Sequence, residues 1–165
     1  MADLLTRVVA AFEAFSPKVY LDAGEKPTVG YGHLLLPGED YSDGLSEEQA
    51  LVLLESDLRA ARAAVDRLFH GVYLADYEWD ALTSFVFNLG SGQAVRESSL
   101  RQHVIHGNTI SAAAEFIKWV NATMPDGSKK KLAGLVRRRD CESVWFLGAH
   151  PSIVERMSGA LPEKV

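Results

Sequence analysis

The sequence predicts an α+β fold: a first helix with a small antiparallel sheet, a long bridging helix, and a second lobe that is mainly helical. Three observations carry this. Apolar residues recur at helical spacing up to Phe12, and Pro17 then intervenes. Residues 18–36 change to β-branched and aromatic types broken by DAGEKP and GYG. From Ser46 onward helical spacing returns and persists to Gly148.

The elements follow in order. Asp3 is a candidate N-cap for Leu4, Leu5, Val8, Val9 and Phe12, a helix expected to run no further than about Phe15, with Glu13 in its last turn. Short twisted antiparallel strands come next, with Gly24, Gly30 and Gly32 allowing tight turns and close backbone approach. Ser46 and Gln49 form a capping-box signature, and Leu51, Leu54, Leu58, Ala61, Val65 and Leu68 mark a helix to about Phe69, long enough to serve both lobes. Further helices are expected at 76–89 before Gly90, about 97–106 before Gly107, about 111–121, and 135–147 before Gly148. One short amphipathic piece then leads into a tail that packs and frays. The chain reads as a single domain, 1–165, with a helix-and-sheet lobe (1–60), a helical lobe (61–165) and a cleft between them.

With 165 residues, 47% hydrophobic and 24% charged, the chain can bury its own core and is not of disordered composition. Its one cysteine, Cys141, excludes an intrachain disulfide and fits folding in a reducing compartment; between charged neighbours it reads as a passive thiol. The first fifteen residues are amphipathic and interrupted by Asp3, Arg7 and Glu13, unlike a signal peptide or a membrane span. No export route and no stable membrane association are expected. Net charge is −5, but residues 1–60 carry four basic and eleven acidic residues (−7) and residues 101–150 eight basic and four acidic (+4). The KKK run at 129–131 reads as a solvated loop after PDG, so nucleic acid is not an expected partner. No heptad argues for more than a monomer.

The stretch FEAFSPKVYLDAGEKPTVGYGH sets Glu13, Asp22 and Thr28 among turn residues. Cleaving a glycosidic bond asks for a protonated carboxyl at the leaving oxygen and a second group, commonly a carboxylate, that handles the anomeric carbon. Apolar neighbours such as Phe12 and Phe15 would favour a neutral acid at Glu13, and a wetter turn an ionised Asp22. Thr28 adds a hydroxyl able to hold a water. An acid at a helix end and an acid in a turn are equally ordinary solvated residues, and spacing alone leaves both readings open.

The order Glu, eight residues, Asp, five residues, Thr, then GYGH resembles the phage-type lysozymes, the T-even-phage-type endolysins of glycoside hydrolase family 24. The resemblance continues in LSEEQALVLLESDLRAARAAVDRL, WDALTSFVFNLGSG and GLVRRRDCESVWFLG, and spans roughly residues 5–148. It implies a lysozyme-like fold and hydrolysis of the β-1,4 bond between N-acetylmuramic acid and N-acetylglucosamine in peptidoglycan, without metal or cofactor. Glu13 would be the general acid, and Asp22 with Thr28 would serve the attacking water, with inversion at the anomeric carbon. It also implies an endolysin made in the bacterial host cytoplasm and released to the wall through a membrane lesion, with a separate holin as a partner. A lytic transglycosylase is the rival enzyme, against which Asp22 and Thr28 argue; a non-catalytic wall-binding module is the rival of another class. One departure stands out: the family commonly has Gly after the catalytic Glu, and this chain has Ala14, tolerable if the helix continues through it.

The same resemblance sets Asn88 and Ser91 in the sugar cleft. Of Arg137, Arg138 and Arg139, spaced 100° apart on a helix, no more than two should face the cleft, where Arg137 and Arg138 are the candidates for substrate carboxylates. His33 is expected to tie the sheet to the bridging helix through Asp57. The scattered histidines, His103 and His106 included, give no metal site, and Trp79, Trp119 and Trp145 read as core.

Overall fold

The computed structural model describes residues 2–22, 25–124 and 126–161. The expected turn glycine at 24 lies outside them. Helix α1, Leu4–Glu13, is capped by Asp3, whose carboxylate accepts from the Thr6 N–H at 2.8 Å, and it buries Leu5, Val8 and Val9. Strands β1 (Ser16–Leu21), β2 (Pro27–Gly30) and β3 (His33–Leu34) form an antiparallel sheet in that order, with Tyr20 opposite Thr28 and Val29 opposite His33.

Helix α2, Glu47–Leu68, carries the full capping box of Ser46 and Gln49. At 22 residues it is about 33 Å long. The sheet sits close against it: a Cβ on Gly30 would lie 3.1 Å from that of Ala50. The division at residue 60 falls inside α2, which belongs to both halves. Helix α3, Asp76–Leu89, ends at Gly90, and α7, Ala133–Phe146, packs along it. Phe85, Phe116, Phe146 and Trp145 fill the helical half of the core, where Phe85 meets Phe116 and Trp119 edge-on.

The helix expected at about 97–106 is α5 (Ser99–Ile105), which starts where the Ser98 hydroxyl accepts from the Arg101 N–H at 3.1 Å, and a short α4 (Gln93–Arg96), which was not expected, precedes it. Two expectations need correction. Helix α6, Thr109–Phe116, stops short of 121, and a hairpin of β4 (Asn121–Thr123) and β5 (Lys129–Lys131) follows. The lysine run is therefore a strand rather than a loop, though all three lysines are exposed. Helix α8, Pro151–Ser158, is tied to α1 by Glu155, which accepts from Arg7 at 2.7 and 2.9 Å. Among the described residues no helix is long and apolar enough to cross a membrane.

Candidate active site

Glu13 is the last residue of α1, and the chain leaves the helix at Ala14 with φ +56° and ψ 149°. That conformation belongs to glycine, so the condition under which Ala14 is tolerable, a helix continuing through it, is not met. The turn directs Glu13 into a cleft of about 610 Å³ between the sheet, α2 and the end of α3. Asp22, Thr28, Asn88 and Ser91 line the same cleft, as do Tyr20, Gly32 and His33.

Asp22 is held at the base of its loop: its N–H donates to the Lys26 carbonyl at 3.0 Å and its Oδ1 accepts from the Lys26 N–H at 2.9 Å. Thr28, on β2 and 2% exposed, donates its hydroxyl to the Lys26 carbonyl at 3.0 Å. Its oxygen is then an acceptor toward anything in the cleft. Gly32, at φ +82°, lies beneath Glu13, and a Cβ there would sit 3.4 Å from Glu13 Oε2.

The surroundings of Glu13 differ from the apolar ones expected. Oε1 accepts from Arg138 Nη1, and Arg138 continues to Glu142 Oε1 at 3.1 Å and to the Ser84 carbonyl at 3.1 Å. Arg139 donates to Glu142 Oε2 at 2.6 Å and to Asn88 Oδ1. Two guanidinium groups and two carboxylates thus balance behind the cleft, with Glu142 fully buried and also accepting from the Ser84 hydroxyl at 2.7 Å. Arg138, at 3% exposure between the rings of Phe12 and Phe87, has no surface to offer a substrate. Arg137 is exposed but lines a different, larger groove of about 1080 Å³ with Lys131, Arg156 and Met157. The two arginines expected at the substrate are therefore a buried partner of Glu13 and a residue outside the cleft.

His33 on β3 is bound on both sides: Nδ1 to Asp57 at 2.8 Å, as expected, and Nε2 to Glu39 at 2.9 Å. Burial pushes the imidazole pKa down, and the hydrogen bonds and charges of Glu39 and Asp57 outweigh that and hold it above its ordinary value. Glu39 is held below the usual carboxylate range by the Leu36 N–H and then by His33. Cys141 is buried, which pushes its thiol up to about 12. Trp145 is in the core, with Trp79 and Trp119 packed against it. Among the described residues no cluster of three or more His, Cys, Asp or Glu could hold a metal ion.

The sequence reading missed Tyr20, Glu39 and Glu142. Tyr20 lines the cleft opposite Thr28, and its phenol is raised by burial and then by the charges of Glu13 and Asp22. Glu142 was detectable, standing three and four residues after two arginines.

Comparison with known proteins agrees with this architecture. The family model described as phage lysozyme matches residues 10–142, a broader description than the T-even type. The endolysin of Bacillus phage B103 is 35% identical over 153 residues, which cover 90% of this chain and 54% of that protein. The chain thus spans about half the length of the curated relatives it matches first. Among solved structures, the endolysin from Escherichia coli O157:H7 phage FAHEc1 superposes with TM-score 0.79 at 27% identity, covering 90% of this chain and 94% of that one. The muramidase domain of SpmX from Asticaccaulis excentricus gives 0.77 at 29%, covering 88% and 96%. A family match over most of its length, joined to a lysozyme-like arrangement of helices and sheet, means that this chain belongs to the phage lysozyme family.

Proposed function

We propose that the chain is a muramidase of the endolysin kind, hydrolysing the β-1,4 bond between N-acetylmuramic acid and N-acetylglucosamine in peptidoglycan to lyse the host cell. The observation that supports this is the meeting of Glu13, Asp22 and Thr28 on one cleft from a helix end, a loop and a strand. Relatives named endolysin and a neighbour named a muramidase domain point the same way.

Arg138 can only donate, so Glu13 Oε1 stays an acceptor and the catalytic proton belongs on Oε2, on the Gly32 side. Glu13 gives that proton to the glycosidic oxygen as the bond to the anomeric carbon breaks. Thr28, its own hydrogen committed to Lys26, accepts one hydrogen of a water; Asp22 accepts the other and takes the proton as that water adds to the anomeric carbon. Water attacking from the face opposite Glu13 inverts the centre. Asn88 and Ser91 contact the glycan. No step calls for a metal or cofactor.

The setting we propose is synthesis in the bacterial host cytoplasm, release through a membrane lesion opened by a separate holin, and action on the cell wall as a monomer. The test is release of muropeptides from purified peptidoglycan by the wild type and by Glu13→Gln, followed by mass and reducing ends. Hydrated reducing ends from the wild type alone support the hydrolase. Anhydromuramic ends would mean a lytic transglycosylase, and no products from a folded wild type would leave a wall-binding module.

A further inference from the structure

The side chain of Asn88 has two faces of opposite character, and only one assignment of them is chemically consistent. Its Oδ1 meets Nη2 of Arg139, and a guanidinium has donors only. The amide oxygen must therefore face Arg139, and the Nδ2 hydrogens must face away from it. Asn88 is the penultimate residue of α3, partly exposed and on the wall of the cleft that holds Glu13. Arg139 itself is 0% exposed and clamped by Glu142, whose Oε2 accepts from its Nη1 at 2.6 Å. Its Nε is buried and has no hydrogen-bond partner among the described residues. An arginine kept there with one donor unsatisfied is not placed for its own comfort, since each such group is unfavourable. What the arrangement achieves is an amide whose oxygen is committed to Arg139, leaving its Nδ2 donors uncommitted by that contact on a residue that lines the cleft.

We propose that Arg139 is a positioning residue that locks the amide of Asn88, so that Asn88 presents an N–H donor to the cleft and selects a sugar carrying an acceptor-only group, the acyl oxygen of an N-acetylated hexosamine. This rests on the glycan-cleaving reading above and names what in the glycan that wall of the cleft reads. A sugar hydroxyl both donates and accepts and would be served by either face of the amide. An acetamido carbonyl is served by one only. De-N-acetylated glycan carries an ammonium at that place, which meets the Asn88 donor unfavourably.

The test is binding rather than turnover, so that it does not depend on the catalytic assignment. Affinities for a β-1,4-linked N-acetylglucosamine oligosaccharide and its fully de-N-acetylated counterpart are measured by calorimetry for the wild type, Asn88→Asp, Arg139→Lys, Asn88→Ala and the Asn88→Ala/Arg139→Lys double variant. Asn88→Asp keeps the acceptor for Arg139 but replaces the donor by a carboxylate oxygen. It is expected to lose about tenfold in affinity for the acetylated ligand and to gain for the de-N-acetylated one. Arg139→Lys keeps the charge beside Glu142 and frees the amide to turn, and is expected to narrow the wild-type preference. In the Asn88→Ala background it should change the preference no further.

Wild-type preference retained in Asn88→Asp, or an Arg139→Lys effect on preference that persists without Asn88, would overturn the assignment. So would a wild type that binds neither ligand. Where the preference fails but muropeptides with hydrated reducing ends are still released, the function stands and this inference alone falls.

Discussion

Ala14 offers the sharpest test of the backbone at the site. Its φ of +56° with ψ of 149° lies where residues with a Cβ are held only by their surroundings, at about 1–3 kcal/mol of strain. The side chain is exposed, so removing its methyl forfeits almost no burial. Ala14→Gly should relieve the strain while enlarging the conformational freedom of the unfolded chain, which offsets about 0.4–1 kcal/mol. The net expectation is a stabilisation of about 1 kcal/mol, or about 3 °C in Tm for a chain of this size. Urea unfolding read by two probes, with the m-value compared between the two proteins, measures it. Equal or lower stability of Ala14→Gly at unchanged m would refute the claim that position 14 is strained. Activity measured in parallel asks a second thing of the same variant. Since residue 14 carries the turn that directs Glu13 into the cleft, higher stability with lower activity would mean that the strain helps to aim the acid.

Three further outcomes are expected. Glu13→Gln should reduce muropeptide release at least about a hundredfold while leaving the fold intact, because Gln still offers an acceptor to Arg138 and a proton donor of the right strength is what is lost; retained activity by a reducing-end assay would remove Glu13 from the role. Glu142→Ala should destabilise by about 3–5 kcal/mol, since it takes the paired carboxylate from the buried Arg139 and one of two from Arg138, and denaturant unfolding will register it; a change within the usual surface range would deny the network its weight. His33, with a folded pKa above its unfolded value, contributes stability that is full below about pH 6.5 and lost as pH rises through the raised value. Glu39, shifted down, contributes above its ordinary value and loses that as pH falls through the lowered one. The Tm gap between wild type and His33→Gln should therefore be widest at about pH 5–6 and close as the pH rises past neutrality; a gap independent of pH would refute the charged clamp.

Local signals made most of the fold legible. The Asp3 cap, the Ser46 and Gln49 capping box and Gly90 after α3 each satisfy backbone groups through near neighbours in sequence, so the residues themselves announce the ends. The β4–β5 hairpin was illegible because Asn121–Thr123 and Lys129–Lys131 alternate no apolar face; their pairing is a backbone matter. Ser98 was overlooked because a serine inside an otherwise helical stretch looks like a surface residue until its hydroxyl is seen to cap. At the site, Glu13, Asp22 and Thr28 were named from the motif, and their shared cleft depends on β1 and β2 pairing across the loop between them. The partnership of Glu13 with Arg138 crosses 125 residues of chain and carries no local signature.

The charge asymmetry of the chain takes on a different meaning once α7 is seen in place. Residues 101–150 sum to +4, which as a sequence reads like a face for a polyanion. Yet Arg138 and Arg139 turn inward, and their charge is answered by Glu142 and by Glu13 from the acidic half. Arg101 donates to the Leu68 carbonyl at 2.9 Å, and Lys118 pairs with Glu115. Of the RRR triplet only Arg137 stays outside, as the 100° advance per residue requires when its two neighbours are buried. Of the eight cations in residues 101–150, one, Arg138, is thus spent on holding a carboxyl of the first lobe, while Arg139 and Lys118 pair with carboxylates of their own half. The cation a linear reading assigns to the substrate is the one that fixes the acid in place.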